Sequence, residues 1–256
     1  IDYLLHVADN AVVLGQRDAE WCGHGPILEE DLALANVSLD LIGQARLLYQ
    51  RAAELKGDGT TEDKLAYFRD SQEFRNYTLL ELPHHGALVG YAVADRDYAT
   101  TIVRNFLYSA LMVHVWDALQ TSADSTLAGI AAKSLKEATY HLHHSRDWLV
   151  RMGDGTDESH ARAQAAVNHL LPYTEEFRSL SPAETAAVKA GVGVDMRSLR
   201  GAWDARVNDA LAEATLTRPQ VRGYVPQGKV GLHSEHLGFL LAEMQSLARA
   251  HPDGCW

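Results

Sequence analysis

The sequence predicts an all-α protein whose core is a bundle of four long helices. Apolar residues recur every three or four positions along almost all of the 256 residues, which is the spacing of a helix with one buried face. No stretch alternates between apolar and polar residues for long enough to indicate a half-buried strand. Clusters of glycine and proline interrupt the helical pattern and therefore divide it into separate helices.

The first two core helices have clear boundary signals. The first is predicted over about 3–20 and ends before Cys22-Gly23-His24-Gly25-Pro26, because glycine and proline stop a helix. The second is predicted over about 29–56. Carboxylates in its first turn suit the helix dipole, and Gly57-Asp58-Gly59-Thr60 ends it.

A connector separates these helices from the next core pair. It contains a short predicted helix over about 62–69 and an irregular stretch over 82–86, which holds Pro83 and Gly86. A third long helix then runs to about residue 122. The fourth is predicted over about 125–152 and stops at Gly153-Asp154-Gly155.

Further helices are predicted beyond the core bundle, and the whole chain, 1–256, is expected to form one domain. The core bundle covers about 3–152, and the additional helices cover about 157–251. A loop rich in glycine and proline, 218–231, precedes the last helix. The additional helices are predicted over about 158–171, 183–191, 196–214 and 235–250.

Composition excludes several classes of protein. Hydrophobic residues make up 46% of the chain, and no apolar run approaches the roughly 18 residues of a membrane helix. The first ten residues lack the pattern of a secretory signal, so we expect a cytoplasmic protein. Cys22 and Cys255 lie far apart and outside any CxxC motif, which indicates reduced thiols. The net charge of -11, without a dense Lys/Arg cluster, argues against a nucleic-acid partner.

Small polar residues interrupt the buried stripes of the core helices. Ser109 interrupts the third stripe, and His141 and Ser145 interrupt the fourth. Such positions indicate either a satisfied hydrogen-bond network or the remains of a metal site, because an unpaired buried polar group costs roughly 1 to 3 kcal/mol. Carboxylates are missing from the inward positions of these stripes, although two iron ions in a four-helix bundle require several. The stripe of the second helix consists of Leu34, Val37, Leu41, Gln44, Leu48, Ala52 and Leu55.

Five blocks of sequence carry a family resemblance. They are Glu20-Trp21-Cys22-Gly23-His24, Asp31-Leu32-Ala33-Leu34-Ala35-Asn36, Leu39-Asp40-Leu41-Ile42-Gly43-Gln44-Ala45-Arg46, Lys136-Glu137-Ala138-Thr139-Tyr140-His141 and Gly231-Leu232-His233-Ser234-Glu235-His236-Leu237-Gly238. These blocks resemble the family of small structural subunits of the bacterial 1,2-phenylacetyl-CoA epoxidase, and the similarity runs over nearly the whole chain. The resemblance implies a ferritin-like four-helix bundle with additional C-terminal helices.

The resemblance also implies that this chain is a paralogue of the iron-bearing subunit that has lost its metal ligands. The positions corresponding to those ligands are Leu41, Gln44, Ser109, Ala138, His141 and Ala11. His141 alone keeps the ligand residue type, and Asp9 is the carboxylate nearest to Ala11. We therefore expect no catalytic residue, metal or other cofactor in this chain. Gln44 and His141 are expected to approach one another in the centre of the bundle.

The function implied by the resemblance is that of a non-catalytic structural subunit. The complex would epoxidise the aromatic ring of phenylacetyl-CoA in phenylacetate catabolism. Its di-iron centre would belong to the catalytic paralogue, which would also bind most of the phenylacetyl-CoA. A separate reductase would carry flavin and an iron-sulfur cluster, and a small accessory subunit would be a further partner.

Two other functions stay open at this point. The first is a metal-binding helical enzyme that uses Glu137, His141 and His144, since these residues share one helix face. The second is a homo-oligomeric module that binds an acyl-CoA or an aromatic acid. The string Glu81-Leu82-Pro83-His84 is treated as a coincidence, because Pro83 prevents a helical display of Glu81 and His84.

The block around His233 has two interpretations. Ser234 could cap the last helix while Glu235 suits its N-terminus. Alternatively, His233, Glu235 and His236 could contact a partner protein or the substrate, because functional groups concentrate on loops held by rigid scaffolds.

Overall fold

The computed structural model describes residues 1–85, 96–220, 223 and 225–254, and it confirms the all-α prediction. Within these ranges the extended pairing consists of one isolated bridge between Gln227 and Leu232. In chain order the helices are α1 (Asp2–Ala19), α2 (Leu28–Lys56), α3 (Glu62–Tyr67), α4 (Thr78–Glu81), α5 (Tyr98–Leu119), α6 (Ser125–Gly153), α7 (Asp157–Leu170), α8 (Pro182–Lys189), α9 (Met196–Glu213), α10 (Glu235–Met244) and α11 (Ser246–Ala250). Three 3-10 turns accompany them, at Ser71–Glu73, Leu171–Arg178 and Gly228–Val230.

The helices belong to two compact units. Unit 1 combines Ile1–Leu82 with Pro226–Trp256, and unit 2 is Pro83–Val225. Each unit contains one of the two long helix pairs expected in the bundle, α1 with α2 and α5 with α6. The expectation that the chain forms a single domain over 1–256 stays a prediction.

Helices α1 and α2 of unit 1 form an antiparallel pair. The Ser38 hydroxyl donates to the Gly15 carbonyl at 2.7 Å, and the Tyr49 hydroxyl donates to the Asp9 carboxylate at 2.6 Å. Residues nearer the N-terminus of α1 therefore contact residues nearer the C-terminus of α2. Helix α2 stops at Gly57, which adopts a left-handed conformation with φ of 64° and donates its N–H to the Ala53 carbonyl.

The returning segment that begins at Pro226 completes unit 1. It passes so close to the residues before α4 that a Cβ at position 228 would lie 2.4 Å from the Asn76 carbonyl oxygen, so only glycine fits there. The predicted last helix, 235–250, is instead two helices that meet at Gln245. The Gln245 side chain donates to the carbonyls of Ala66 and Arg69, at 3.2 and 3.0 Å. These two hydrogen bonds connect the end of α10 to the last turn of α3 and to Arg69, just after it.

Unit 2 is built on the antiparallel pair α5 and α6. The five residues 120–124 connect the two helices, and at the opposite end the Tyr98 ring meets the Trp148 ring edge-on, with centroids 5.5 Å apart. Asp124 caps α6 by accepting from the N–H groups of Thr126 and Leu127. Helix α9 packs on α5, where the Trp203 indole N–H donates to the Leu107 carbonyl at 3.1 Å.

The predicted helix boundaries agree with the structure to within about three residues. The predicted stripe of α2 is buried except at Leu55, which is 46% exposed because it lies in the last turn. Sequence analysis missed α4 and the 3-10 turns, since such short elements have too few residues to show a period. Gly86 and part of the loop 218–231 lie outside the described residues, as does Cys255, while Cys22 is an exposed free thiol.

Candidate functional site

The predicted ligand positions of unit 1 are buried and uncharged. Ala11, Leu41 and Gln44 are all almost inaccessible to solvent. They lie on α1 and α2 between the two contacts that fix the register of this helix pair, Ser38 with Gly15 and Tyr49 with Asp9. None of the three side chains supplies an anionic oxygen, so these positions do not fit a pair of iron ions.

Asp9 is the carboxylate nearest to Ala11 along the sequence, and both of its oxygens accept hydrogen bonds. Asp9 is 0% exposed. Both of its oxygens accept from the Arg69 guanidinium. The Tyr49 hydroxyl donates to Oδ1 at 2.6 Å, and the Arg75 main-chain N–H donates to Oδ2 at 2.7 Å.

Aromatic rings and main-chain carbonyls hold the Arg69 guanidinium in place. It lies over the Phe74 ring at 4.3 Å from the centroid and over the Tyr49 ring at 5.5 Å. Arg69 also donates to the carbonyls of Leu65 and Glu73. Burial raises the pKa of Tyr49 well above its ordinary value, and the negative charge of Asp9 raises it further. This cluster, Asp9 with Tyr49, Arg69, Phe74 and Arg75, is called the Asp9 cluster below.

The predicted ligand positions of unit 2 are also buried. Ser109 lies on α5, and Ala138 and His141 lie on α6. The register of this helix pair places Ser109 near the turn of α6 that carries Ala138. The His141 carbonyl accepts from the Ser145 hydroxyl at 2.7 Å. Since Gln44 belongs to unit 1 and His141 to unit 2, their expected approach stays a prediction.

The alternative metal site on α6 is not assembled in the structure. Glu137 pairs with Lys133 at 3.5 Å. The His144 ring stacks on the Tyr140 ring, whereas His141 is buried and His143 is exposed. Across the part of the chain that the structure describes, no three His, Cys, Asp or Glu side chains come close enough together to hold a metal ion.

The string Glu81-Leu82-Pro83-His84 does not present its acid and its histidine together on a helix. Helix α4 ends at Glu81, and Leu82 is extended with ψ of 145°. His84 instead lies in unit 2, where its Nδ1 is 2.6 Å from the Thr101 hydroxyl and 3.0 Å from an Arg104 nitrogen. Pro83 thus separates the two side chains, as its missing N–H and fixed φ predict.

Glu81 is the centre of a second buried cluster, which the sequence did not reveal. Its carboxylate is fully buried. Oε2 lies 2.8 Å from Nδ1 of His233 and accepts from the Asn76 amide at 2.9 Å. Oε1 accepts from the Ser234 N–H at 2.6 Å. Arg17 donates to the main-chain carbonyl of Glu81, at 3.1 and 2.6 Å.

Part of the block around His233 therefore makes hydrogen bonds inside unit 1. The His233 ring is turned inwards, and the His236 carbonyl accepts from Arg17 at 3.4 Å. Ser234 occupies the N-cap position of α10, but its hydroxyl makes no capping hydrogen bond. Glu235 is exposed in the first turn of the helix, as predicted. A contact of His233, Glu235 or His236 with a partner or substrate stays a prediction.

One signal for the Asp9 cluster was available in the sequence. Asp9 and Asn10 interrupt an otherwise apolar stretch of α1, and both are buried. Asn10 accepts from the Tyr77 N–H at 2.7 Å. Two adjacent polar residues on an apolar helix indicate buried hydrogen bonds. Their partners lie more than 60 residues away for Arg75 and Tyr77, so the pattern could not identify them.

Comparisons with known proteins agree with this architecture. The chain is 46% identical over 254 residues to the C subunit of 1,2-phenylacetyl-CoA epoxidase from Escherichia coli (strain K12), a match that covers 99% of this chain and 98% of that protein. Among the described residues, no helix combines the length and apolar character needed to cross a bilayer. The match along the whole chain also supports the predicted ferritin-like fold class. Because the family described as Phenylacetic acid catabolic protein matches residues 1–256, the chain belongs to that family.

Proposed function

We propose that this chain is a non-catalytic structural subunit of a multi-subunit oxygenase that epoxidises the aromatic ring of phenylacetyl-CoA. The name of the Escherichia coli relative, a subunit of 1,2-phenylacetyl-CoA epoxidase, supports the substrate and the multi-subunit organisation. The distribution of charge inside the chain supports the non-catalytic role.

The observation that carries the non-catalytic role is the Asp9 cluster. A carboxylate that ligates iron must turn free lone pairs towards the metal. The oxygens of Asp9 instead accept from Arg69, Tyr49 and the Arg75 N–H. A guanidinium already neutralises this carboxylate, and an iron ion beside it would meet a like charge. The expected ligand positions themselves hold one histidine and otherwise neutral side chains, namely Ala11, Leu41, Gln44, Ser109, Ala138 and His141, so this chain does not fit a di-iron centre.

The proposal assigns the chemistry to a partner. An iron-bearing paralogue would supply oxygen activation and bind most of the phenylacetyl-CoA, and a separate flavin and iron-sulfur reductase would supply electrons. A small accessory subunit is part of the same proposal, as is a cytoplasmic location. These assignments rest on the family resemblance.

The task of this chain would be to hold the catalytic paralogue in its active shape. Reacting groups keep sub-ångström positions only when the structure behind them is rigid. The packed helix pairs of this chain, with the buried ion pair of Asp9 and Arg69, support this role.

Reconstitution tests the proposal directly. The chain and an iron-bearing paralogue from the same source are purified separately and together, and iron content and phenylacetyl-CoA epoxidation are measured with the reductase present. We expect iron in the paralogue alone and full activity only when both chains are present. Stoichiometric iron in the isolated chain, or undiminished epoxidation without it, would overturn the proposal.

Two further measurements separate the alternatives. Metal that is lost from the isolated chain after Glu137→Gln or His144→Gln would favour the helical metal enzyme. Tight binding of CoA or phenylacetate to the isolated chain by calorimetry would favour the homo-oligomeric binding module. The structural-subunit proposal expects neither result.

A further inference from the structure

His233 contacts a hydrogen-bond acceptor with each of its ring nitrogens. Nδ1 lies 2.8 Å from Oε2 of Glu81, and Nε2 lies 3.0 Å from the Phe74 main-chain carbonyl oxygen. The His233 side chain is 5% exposed and the Glu81 side chain is 0% exposed. Water therefore cannot replace either contact without opening the structure.

The number of protons on the ring follows from these partners. A carbonyl oxygen can only accept a hydrogen bond, so Nε2 must carry a proton. Oε2 of Glu81 also accepts from the Asn76 amide, and Oε1 accepts from the Ser234 N–H, so both oxygens already act as acceptors. We therefore assign the acceptor role at the third contact to Oε2 and the donor role to Nδ1. A neutral imidazole has one N–H, and a ring that donates from both nitrogens is an imidazolium.

The cations on the neighbouring elements have described partners of their own. Arg17 donates to main-chain carbonyls and pairs with Glu20 at 2.7 Å. Arg75 donates to the carbonyls of Gln72 and Phe74. Other titratable groups on the surrounding elements include Lys229, which lies over the Tyr77 ring, and His6, which contacts the Arg75 carbonyl. Glu73 precedes Phe74, and Glu235 and His236 lie in the first turn of α10. The nearby cations disfavour a charged ring, so its charge depends on the ion pair with Glu81.

We propose that His233 is held as an imidazolium between Glu81 and the Phe74 carbonyl, and that this charge makes the docking of segment 226–254 onto the rest of unit 1 sensitive to pH. Loss of one proton would leave a nitrogen lone pair facing an acceptor oxygen at hydrogen-bond distance. It would also leave the buried Glu81 carboxylate without its cationic partner.

The direction of the pH effect depends on whether His233 binds its proton more tightly in the docked or in the released segment. The docked segment binds this proton, whereas a released and solvated His233 loses it at about pH 6.5. The protonated ring therefore contributes its full stabilisation to docking below that pH. Docking weakens as the pH rises through the range in which the docked ring loses its proton.

Nuclear magnetic resonance of the complete 256-residue chain, labelled with 15N-histidine, tests the protonation state. The chain contains thirteen histidines, and His233→Gln identifies the signals of His233 by their loss. We expect both ring nitrogens of His233 to carry protons at pH 8, where exposed histidines are neutral. In Glu81→Gln, which has no charge to pair with the ring, we expect one protonated nitrogen at the same pH. A singly protonated His233 in the folded wild-type chain at pH 8 would overturn the proposal.

Hydrogen exchange of the α10 amides tests the effect on docking. After correction for the intrinsic pH dependence of exchange, we expect protection in the wild-type chain to fall by about tenfold or more between pH 7 and pH 9, as the loss of one stabilising proton implies. His233→Gln should show lower protection with no such fall. His251→Gln, which changes an exposed histidine in the same segment, should behave like the wild type. If His233→Gln does not fold, Glu81→Gln replaces it and should also lack the fall.

The proposal would be contradicted if protection of the α10 amides fell equally with pH in the wild-type chain and in the folded His233→Gln variant. Constant protection in the wild-type chain would also contradict it. Neither experiment measures epoxidation, so a negative result leaves the proposed subunit role unaffected.

Discussion

Both carboxylate oxygens of Asp9 accept hydrogen bonds from the guanidinium of Arg69, which lies 60 residues further along the chain. The two side chains join α1 to the residues that follow α3, in the interior of unit 1. A buried carboxylate is costly unless a cation neutralises it, and the cation in this case is part of the chain itself. Arg69 thus neutralises the Asp9 carboxylate inside unit 1.

Arg69→Met should strongly destabilise unit 1, because it leaves Asp9 buried and uncompensated. We expect a loss of about 3 to 5 kcal/mol in the free energy of unfolding, measured by denaturant titration. Asp9→Asn should cost a similar amount by leaving the guanidinium unpaired. The double variant should lose less than the sum of the two single variants.

Arg51→Met is the matched control for this change. Arg51 pairs with Glu54 at 3.1 Å near the surface of α2, and such pairs contribute about 0 to 1 kcal/mol. A loss in Arg69→Met no larger than in Arg51→Met would show that the Asp9 cluster contributes little to stability.

Tyr49 and Tyr108 should stay protonated in the folded chain at pH values where exposed tyrosines ionise. Burial raises the pKa of Tyr49, and the charge of Asp9 adds to the shift. Burial alone raises the pKa of Tyr108. Because the folded chain binds these protons more tightly, stability is intact below about pH 10, the ordinary tyrosine pKa, and is lost as the pH rises further.

Ultraviolet absorbance of tyrosinate checks this expectation. Tyr49→Phe and Tyr108→Phe should leave the amplitude of the folded-state titration unchanged. A smaller amplitude in Tyr49→Phe before unfolding begins would contradict the expected shift.

Gly153→Ala should destabilise unit 2. A Cβ at position 153 would lie 2.2 Å from the Ala214 carbonyl oxygen, so the end of α6 could not keep its contact with the end of α9. We expect a loss of about 1 to 3 kcal/mol, measured by thermal unfolding. Gly129→Ala on the same helix meets nothing within 4 Å and should add up to about 1 kcal/mol through its better helix propensity. The prediction fails if both variants shift the melting temperature in the same direction.

Gln44→Leu and His141→Leu should reduce stability without removing chemistry. Both side chains are buried and polar, and each has interactions that leucine cannot make. We expect about 1 to 3 kcal/mol of destabilisation per substitution. The iron content of the complex with the catalytic paralogue, and the epoxidation rate per assembled complex, should not change. Loss of iron from the complex after either substitution would place a ligand in this chain.

The sequence predicted the long helices well because their signals are local. Gly57 ends α2 and Asp124 caps α6, and both effects involve residues within one helical turn. Gln245 shows the limit of this approach. It breaks the predicted helix 235–250 by bonding to Ala66 and Arg69, and no feature near residue 245 announces those partners.

The candidate site was predictable in part, for the same reason. The family resemblance identified Leu41, Gln44, Ser109 and Ala138 as ligand positions, and their lack of carboxylates can be read from the sequence. The partners of Asp9 and Glu81 could not be read, because the pairing of Glu81 with His233 spans 152 residues. The prediction that Pro83 keeps Glu81 and His84 from sharing a helix is confirmed. Nothing near Glu81 in the sequence indicated that its histidine partner would be His233.

The discontinuous construction of unit 1 imposes an order on folding during synthesis. Unit 2 lies between the two segments of unit 1, so all of its contacts are available before the returning segment leaves the ribosome. His233 follows Glu81 by 152 residues, which at ribosomal rates is a delay of roughly 8 to 30 seconds. Throughout that interval Glu81 lacks its contact with His233, and unit 1 lacks α10 and α11. Unit 2 can therefore complete its contacts before unit 1 has all of its residues.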